Sequence, residues 1–144
     1  MAECRVTIDD LSELLQDSPF LRHYGLVVAS CSFGECELIV PFDTSIERPD
    51  GIISGMAIMG AADVAMWLAI MTMRGQDERW VTSDMQTAFL RSGRSESVNC
   101  SCKVLRLGRR SAFGAAECRG MNSGDLLAHH SVRYAKVGTE GERA

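Results

Sequence analysis

Apolar residues at Ile8, Leu11, Leu14 and Leu15 recur at helical spacing and predict a short amphipathic helix. Thr7 is its cap, Asp9 and Asp10 favour its positive end, and "DSPF" stops it at about Ser18, before Pro19. From Gly25 to Pro41, "GLVVASCSFGECELIVP" reads as two strands joined around Gly34, a hairpin. "FDTSIERPDG" is a polar loop, and from Ile52 to Met73 the chain is apolar except for Asp63. "RGQDER" breaks that run. Four strands are expected next, over Trp80–Leu90, Glu96–Leu107, Ser111–Arg119 and Leu126–Val137, separated by turns rich in Gly, Ser and Asn. The tail "GTEGERA" at 138–144 is expected to fray.

No strand–helix–strand alternation is present, which disfavours a doubly wound parallel sheet. The order hairpin, long helix, consecutive strands that can pair antiparallel points to an α+β domain over residues 1–144, one antiparallel sheet around a long helix. At 144 residues one core is expected.

The apolar run of 22 residues would reach about 33 Å as a helix, enough to cross a bilayer. An Asp near the bilayer centre costs about 2.5 to 3.5 kcal/mol on insertion scales, and the flanks carry no aromatic belt. A buried helix is the better expectation. Ala57, Ala61, Ala65 and Ala69 form a stripe of small residues suited to close packing. Met56, Met59, Gly60, Asp63, Trp67 and Ile70 lie on the other side. Asp63 thus sits among thioethers and an indole, either as a satisfied acid holding a subunit contact or as a functional carboxylate.

Ser54 is a plausible N-cap, which places the Gly55 and Met56 amides at the positive helix end, where they could polarise a carbonyl. Gly55 and Asp63 are eight residues apart, about 12 Å along one axis. Both can act on one carbonyl only if two antiparallel helices meet across a two-fold axis, Gly55 of one subunit facing Asp63 of the other.

The net charge of -4 gives no general attraction to nucleic acid, and no basic-aromatic platform is present. Met1–Gln16 lacks the basic and apolar regions of a secretion signal, so a cytoplasmic location is expected. The six cysteines, at 4, 31, 36, 100, 102 and 118, form no CxxC pair, and His23, His129 and His130 have no ligand spacing to them. Free thiols and no metal are expected.

The stretches "RPDGIISGMAIMGAADVAMWLAI", "VTSDMQTAFLR" and "LGRRSAFGAAECRG" together resemble the hotdog-fold thioesterases of the PaaI-like group, over about Gly25 to Val137. That group usually shows an Asn, a Gly three residues on, then His-Gly-Gly, with the catalytic Asp nine residues after the His. Here those places hold Arg48, Gly51, Ser54-Gly55-Met56 and Asp63, so the Asn, the His and the second Gly are replaced. The Ser-Gly version resembles a known branch of the group.

The resemblance implies a hotdog fold and hydrolysis of an acyl-CoA or aryl-CoA thioester. Gly55 would polarise the carbonyl, Asp63 would act as nucleophile or general base, and Thr82 would orient water or the carboxylate. It further implies a homodimer, often paired into a tetramer. No cofactor is implied beyond the coenzyme A of the substrate. For that coenzyme's phosphates, Arg91 and Arg94 in one turn and Arg109 and Arg110 in another are the candidate cations. Gly51, Ser54, Met56, Met59 and Trp67 are the candidate substrate contacts. A non-catalytic acyl-CoA-binding or scaffold protein is the alternative, motivated by the missing Asn and His. A hydratase is weaker, since no His lies in the Asp63 motif.

Overall fold

The computed structural model describes residues 2–138, so the tail expected to fray lies, from position 139 on, outside the described residues. Helix α1 spans Ile8–Asp17 and begins with a reciprocal cap: the Thr7 hydroxyl accepts from the Asp10 amide, and the Asp10 carboxylate accepts from the Thr7 amide. Its apolar face buries Leu11 and Leu15. A 3-10 turn over Pro19–Tyr24 leads into the hairpin of β1 (Val27–Ser32) and β2 (Glu35–Val40). Gly34, at φ +80°, makes the hairpin turn with a backbone that L side chains rarely adopt.

Helix α2 spans Gly55–Arg74, capped by Ser54, and Gly75 follows its last turn. Strands β3 (Arg79–Phe89), β4 (Val98–Leu107), β5 (Ser111–Gly120) and β6 (Leu126–Val137) follow and complete the elements among the described residues. All six strands form one antiparallel sheet in the order β1-β2-β4-β5-β6-β3, with α2 against one face, as expected for the hotdog fold.

The strands after α2 pair antiparallel as expected, though not in chain order. Of the four consecutive strands, β3 does not pair with β4; it pairs with β6 at the edge of the sheet, from Arg79 opposite Val137 to Phe89 opposite Ala128. The connection after β3 passes the start of α2, where the Ile53 amide bonds to the Gly93 carbonyl at 2.9 Å. This path lets β4 add to β2, and the three-strand meander β4-β5-β6 fills the width between β2 and β3. A sheet widened in this way can cover the helix along its length.

The alanine stripe is buried as expected, and so are Val64, Met66, Leu68, Ile70, Met71 and Thr72, so the second half of α2 is enclosed on nearly every side. Ile70 therefore belongs to the core and not to the face that carries Asp63. Gly114 of β5 marks the closest approach, since a Cβ there would stand 2.5 Å from Met66 Sδ. The helix is long and apolar enough to cross a membrane, but twelve of its residues are buried by its own chain. At the far end, the buried Thr72 hydroxyl donates to the Ala69 carbonyl and accepts from the Gly34 amide at 2.8 Å, joining α2 to the hairpin.

Candidate active site

Asp63 lies at the centre of α2 on the strip that the sheet leaves half-open. Thr82 of β3 donates its hydroxyl proton to Asp63 Oδ1 at 2.6 Å. Tyr134 of β6 sits directly opposite Thr82 in the sheet register, and its hydroxyl donates to the same Oδ1 at 2.9 Å and to the Asp63 main-chain carbonyl at 2.8 Å. Burial, reinforced by the Asp63 charge, pushes the Tyr134 phenol well above its usual range, so it stays protonated and serves as a donor. A bulge between Thr82 and Asp84 shifts the register just past the site. Oδ2 has no donor among the described residues.

The start of α2 forms a second polar feature. Ser54 Oγ accepts the Met56 amide at 3.1 Å, as a cap should, while the Gly55 amide has no acceptor among the described residues. The segment is held from several sides: the Ser54 amide bonds to the Ile46 carbonyl at 2.7 Å, and Arg94 Nη1 donates to the Asp50 carbonyl at 3.2 Å. Gly51, at φ +81°, turns the chain beside Arg94. A cleft of about 480 Å³ opens here, lined by Arg48, Ile52, Gly55, Ile58, Phe89 and Arg91 among others. The Phe89 ring covers Gly55 closely enough that a Cβ there would lie 3.0 Å from its Cζ.

The predicted site residues therefore fall into separate groups within one protomer. Gly51, Ser54, Gly55, Met56, Arg91 and Arg94 gather at the helix start, and Asp63 and Thr82 meet near its middle. Met59 is half-buried between them, and Met56 is 76% exposed. Trp67 instead borders another cleft, of about 350 Å³, with Leu14, Met71 and Trp80. Arg109 and Arg110 occupy the β4–β5 turn, beside Gly108, whose carbonyl accepts from Arg74 at the end of α2. Tyr134 was missed by the sequence reading. Its one signal is an inward parity on the last strand, which an ordinary core tyrosine shares.

A second buried polar chain lies under Ile58. His130 places Nε2 3.3 Å from Cys118 Sγ and Nδ1 2.8 Å from Thr87 Oγ1. Cys118 is paired in register with Cys100, whose hydrogen bond is the main cause that lowers the Cys118 thiol, with His130 adding to it. The six cysteines are free thiols, and among the described residues no cluster fit to hold a metal is found. His129 faces Glu117 at 3.9 Å, and His23 stacks edge-on to Tyr24; neither touches Asp63.

Solved structures share this architecture. The conserved protein PA5202 from Pseudomonas aeruginosa is 28% identical over 83% of this chain and 94% of its own, with a TM-score of 0.78. Thioesterase HI1161 from Haemophilus influenzae superposes with a TM-score of 0.88 over 98% of this chain and all of its own, at 19% identity. The PaaI protein from the phenylacetic acid degradation operon of E. coli gives 0.77 over 92% of this chain and 97% of its own, at 14% identity. The last two likenesses are of fold. No curated protein sequence matches the chain. The sequence profile of the Thioesterase superfamily matches residues 50–125, from the turn before α2 to the last strand connection. The chain, with its half-open Asp63 and its free Gly55 amide on one helix, belongs to the Thioesterase superfamily.

Proposed function

We propose that the protein hydrolyses an acyl-CoA or aryl-CoA thioester at a site shared by two subunits. The observation that carries this reading is the pair of unsatisfied groups on one helix: Oδ2 of Asp63, without a donor, and the Gly55 amide, without an acceptor, among the described residues. Eight residues separate them, about 12 Å on one axis, so they reach a common carbonyl only from antiparallel helices of two protomers.

Two surfaces support such a homodimer. The half-open strip of α2 runs through Met56, Met59, Gly60, Asp63 and Trp67 at helical spacing, and Gly60 has space around it for a partner helix. Strand β3 is an 11-residue edge whose outer side has no strand neighbour among the described residues. Pairing of two such edges would continue the sheet, and two dimers could pack as a tetramer.

In the hydrolytic step, Asp63 either takes a proton from water, which adds to the thioester carbonyl, or attacks that carbonyl itself through Oδ2. The oxyanion accepts the Gly55 amide of the partner subunit, an interaction whose loss costs about 10²- to 10³-fold in comparable sites. Collapse expels the coenzyme A thiolate, which takes up the proton lost by water; on the nucleophilic route the acyl group is first left on Asp63 as an anhydride, which a water then hydrolyses to free acid and restored carboxylate. Thr82 orients the carboxylate. Arg91 and Arg94, beside the cleft at Gly55, supply charge for the coenzyme phosphates, with Arg109 and Arg110 as a further pair. Met56, Met59 and Trp67 offer apolar surface to the acyl or aryl group. This reading keeps the protein in the cytoplasm, with no cofactor beyond the substrate's coenzyme A, and with neither membrane nor nucleic acid as partner.

The second reading, a non-catalytic acyl-CoA-binding or scaffold protein, is favoured by Ser54 and Arg48 standing where the PaaI-like pattern has His and Asn. One experiment separates the two. Thiol release is followed over short, medium, long-chain and aryl acyl-CoAs with wild type and Asp63→Asn. Hydrolysis abolished in the variant supports the first reading; saturable binding without turnover by wild type supports the second.

A further inference from the structure

Tyr134 reaches Asp63 from beneath, out of β6, the last strand in the chain, and makes two contacts with one proton. Its hydroxyl lies 2.8 Å from the Asp63 main-chain oxygen and 2.9 Å from Oδ1, while Thr82 lies 2.6 Å from the same Oδ1. A buried tyrosine needs a partner for its hydroxyl, and the main-chain oxygen would suffice. The second acceptor is what sets this tyrosine apart. Because Thr82 and Tyr134 are opposite one another in the β3–β6 register, both hydroxyls arrive side by side, and both end on one oxygen.

We infer that Tyr134 is a positioning residue that, together with Thr82, locks Oδ1 of Asp63 and assigns the reaction to Oδ2. The inference rests on the proposal that Asp63 carries the hydrolysis. Two donors from a rigid sheet hold the carboxylate plane, so it cannot rotate to exchange its oxygens. Oδ2, left without a donor among the described residues, keeps its lone pairs for water or carbonyl carbon. The contact to the main-chain oxygen places the hydroxyl within reach of Oδ1, while the buried residues of α2 hold the helix turn itself. The phenol retains its proton because burial and the Asp63 charge both oppose its loss, so the donor persists through the neutral range.

Tyr134→Phe keeps the ring and its packing and removes only the hydroxyl. On the thioester that wild type cleaves best, kcat should fall about 10- to 100-fold with KM within about twofold, because alignment is lost and substrate contacts are not. Crystal structures of the wild-type and variant dimers supply a second readout: the Asp63 carboxylate should occupy one orientation in wild type and rotate or split in Tyr134→Phe, with α2 unmoved. An unchanged kcat with the carboxylate in place would overturn the inference, as would a fall in activity accompanied by a shifted α2. If wild type cleaves no thioester, the hydrolysis proposal fails on its own; a rotated carboxylate would then still support the positioning role, and an unmoved one would end it.

Discussion

Thr82 donates its hydroxyl proton to Asp63 Oδ1 at 2.6 Å, joining residues nineteen apart in sequence and tying the edge strand β3 to the middle of α2. The strand that would meet a partner subunit is therefore the strand that orients the carboxylate. Thr82→Val preserves the β-branched shape and removes the donor. A fall in kcat of about 10- to 100-fold is expected, the rate equivalent of a hydrogen bond to a charged group, whereas Thr82→Ser should retain most activity. Steady-state thiol release from acyl-CoA measures both.

Gly60 sits on the half-open strip of α2, and a Cβ there would touch nothing within 4 Å among the described residues. Gly60→Gln should therefore leave the isolated fold intact, or raise its stability by up to about 1 kcal/mol through better helix propensity. In an assembled dimer the longer side chain would lie between the two helices. Sedimentation velocity should show a shift toward monomer, with thiol release lost in parallel; an intact dimer with full activity would remove the shared-site arrangement.

Thr72 and Gly34 form the other tie between helix and sheet. The buried Thr72 hydroxyl accepts the Gly34 amide at 2.8 Å while donating to Ala69 at 2.6 Å. Thr72→Val fills the same volume but leaves that amide without an acceptor, a loss of about 1 to 3 kcal/mol. Urea denaturation of both proteins measures it, with catalysis by the folded fraction unchanged.

Glu96 accepts the amides of Ser123 and Asn122 at 3.0 and 2.8 Å and the Ser123 hydroxyl at 2.9 Å, bracing the β5–β6 turn. The Ser123 backbone bond, first among these, lowers its pKa against the opposing effect of burial. A carboxylate whose folded pKa lies below its unfolded value stabilises the fold above the unfolded value, and that stability is lost as pH falls through the folded one. Wild type should thus lose stability more steeply than Glu96→Gln as pH drops from about 5 to 3. Denaturation midpoints across that range provide the check.

Much of this molecule was legible along the chain. The caps Thr7 and Ser54, the hairpin turn at Gly34, the extent of α2 and the ends of β5 and β6 all follow from local chemistry: who can cap, who can turn, which period the apolar residues keep. The contrast between the buried alanine stripe and the half-open Asp63 strip was likewise readable, because helical geometry alone decides which residues share a face. The proposed sharing of the site between two subunits likewise rests on spacing, since a helix separates Gly55 from Asp63 by a fixed rise per residue.

Tertiary structure decided what depends on the path of the chain. Strand periodicity states which way a side chain faces and not which strand lies alongside, so β3 beside β6, with Thr82 opposite Tyr134, could not be read from either segment. The same holds for the arginines: Arg91 and Arg94 gather at the start of α2 because the loop after β3 crosses there, while Arg109 and Arg110 are carried to a different turn. The lone carboxylate was thus visible in the sequence, but its second donor emerged only when two distant strands were brought into register beneath it.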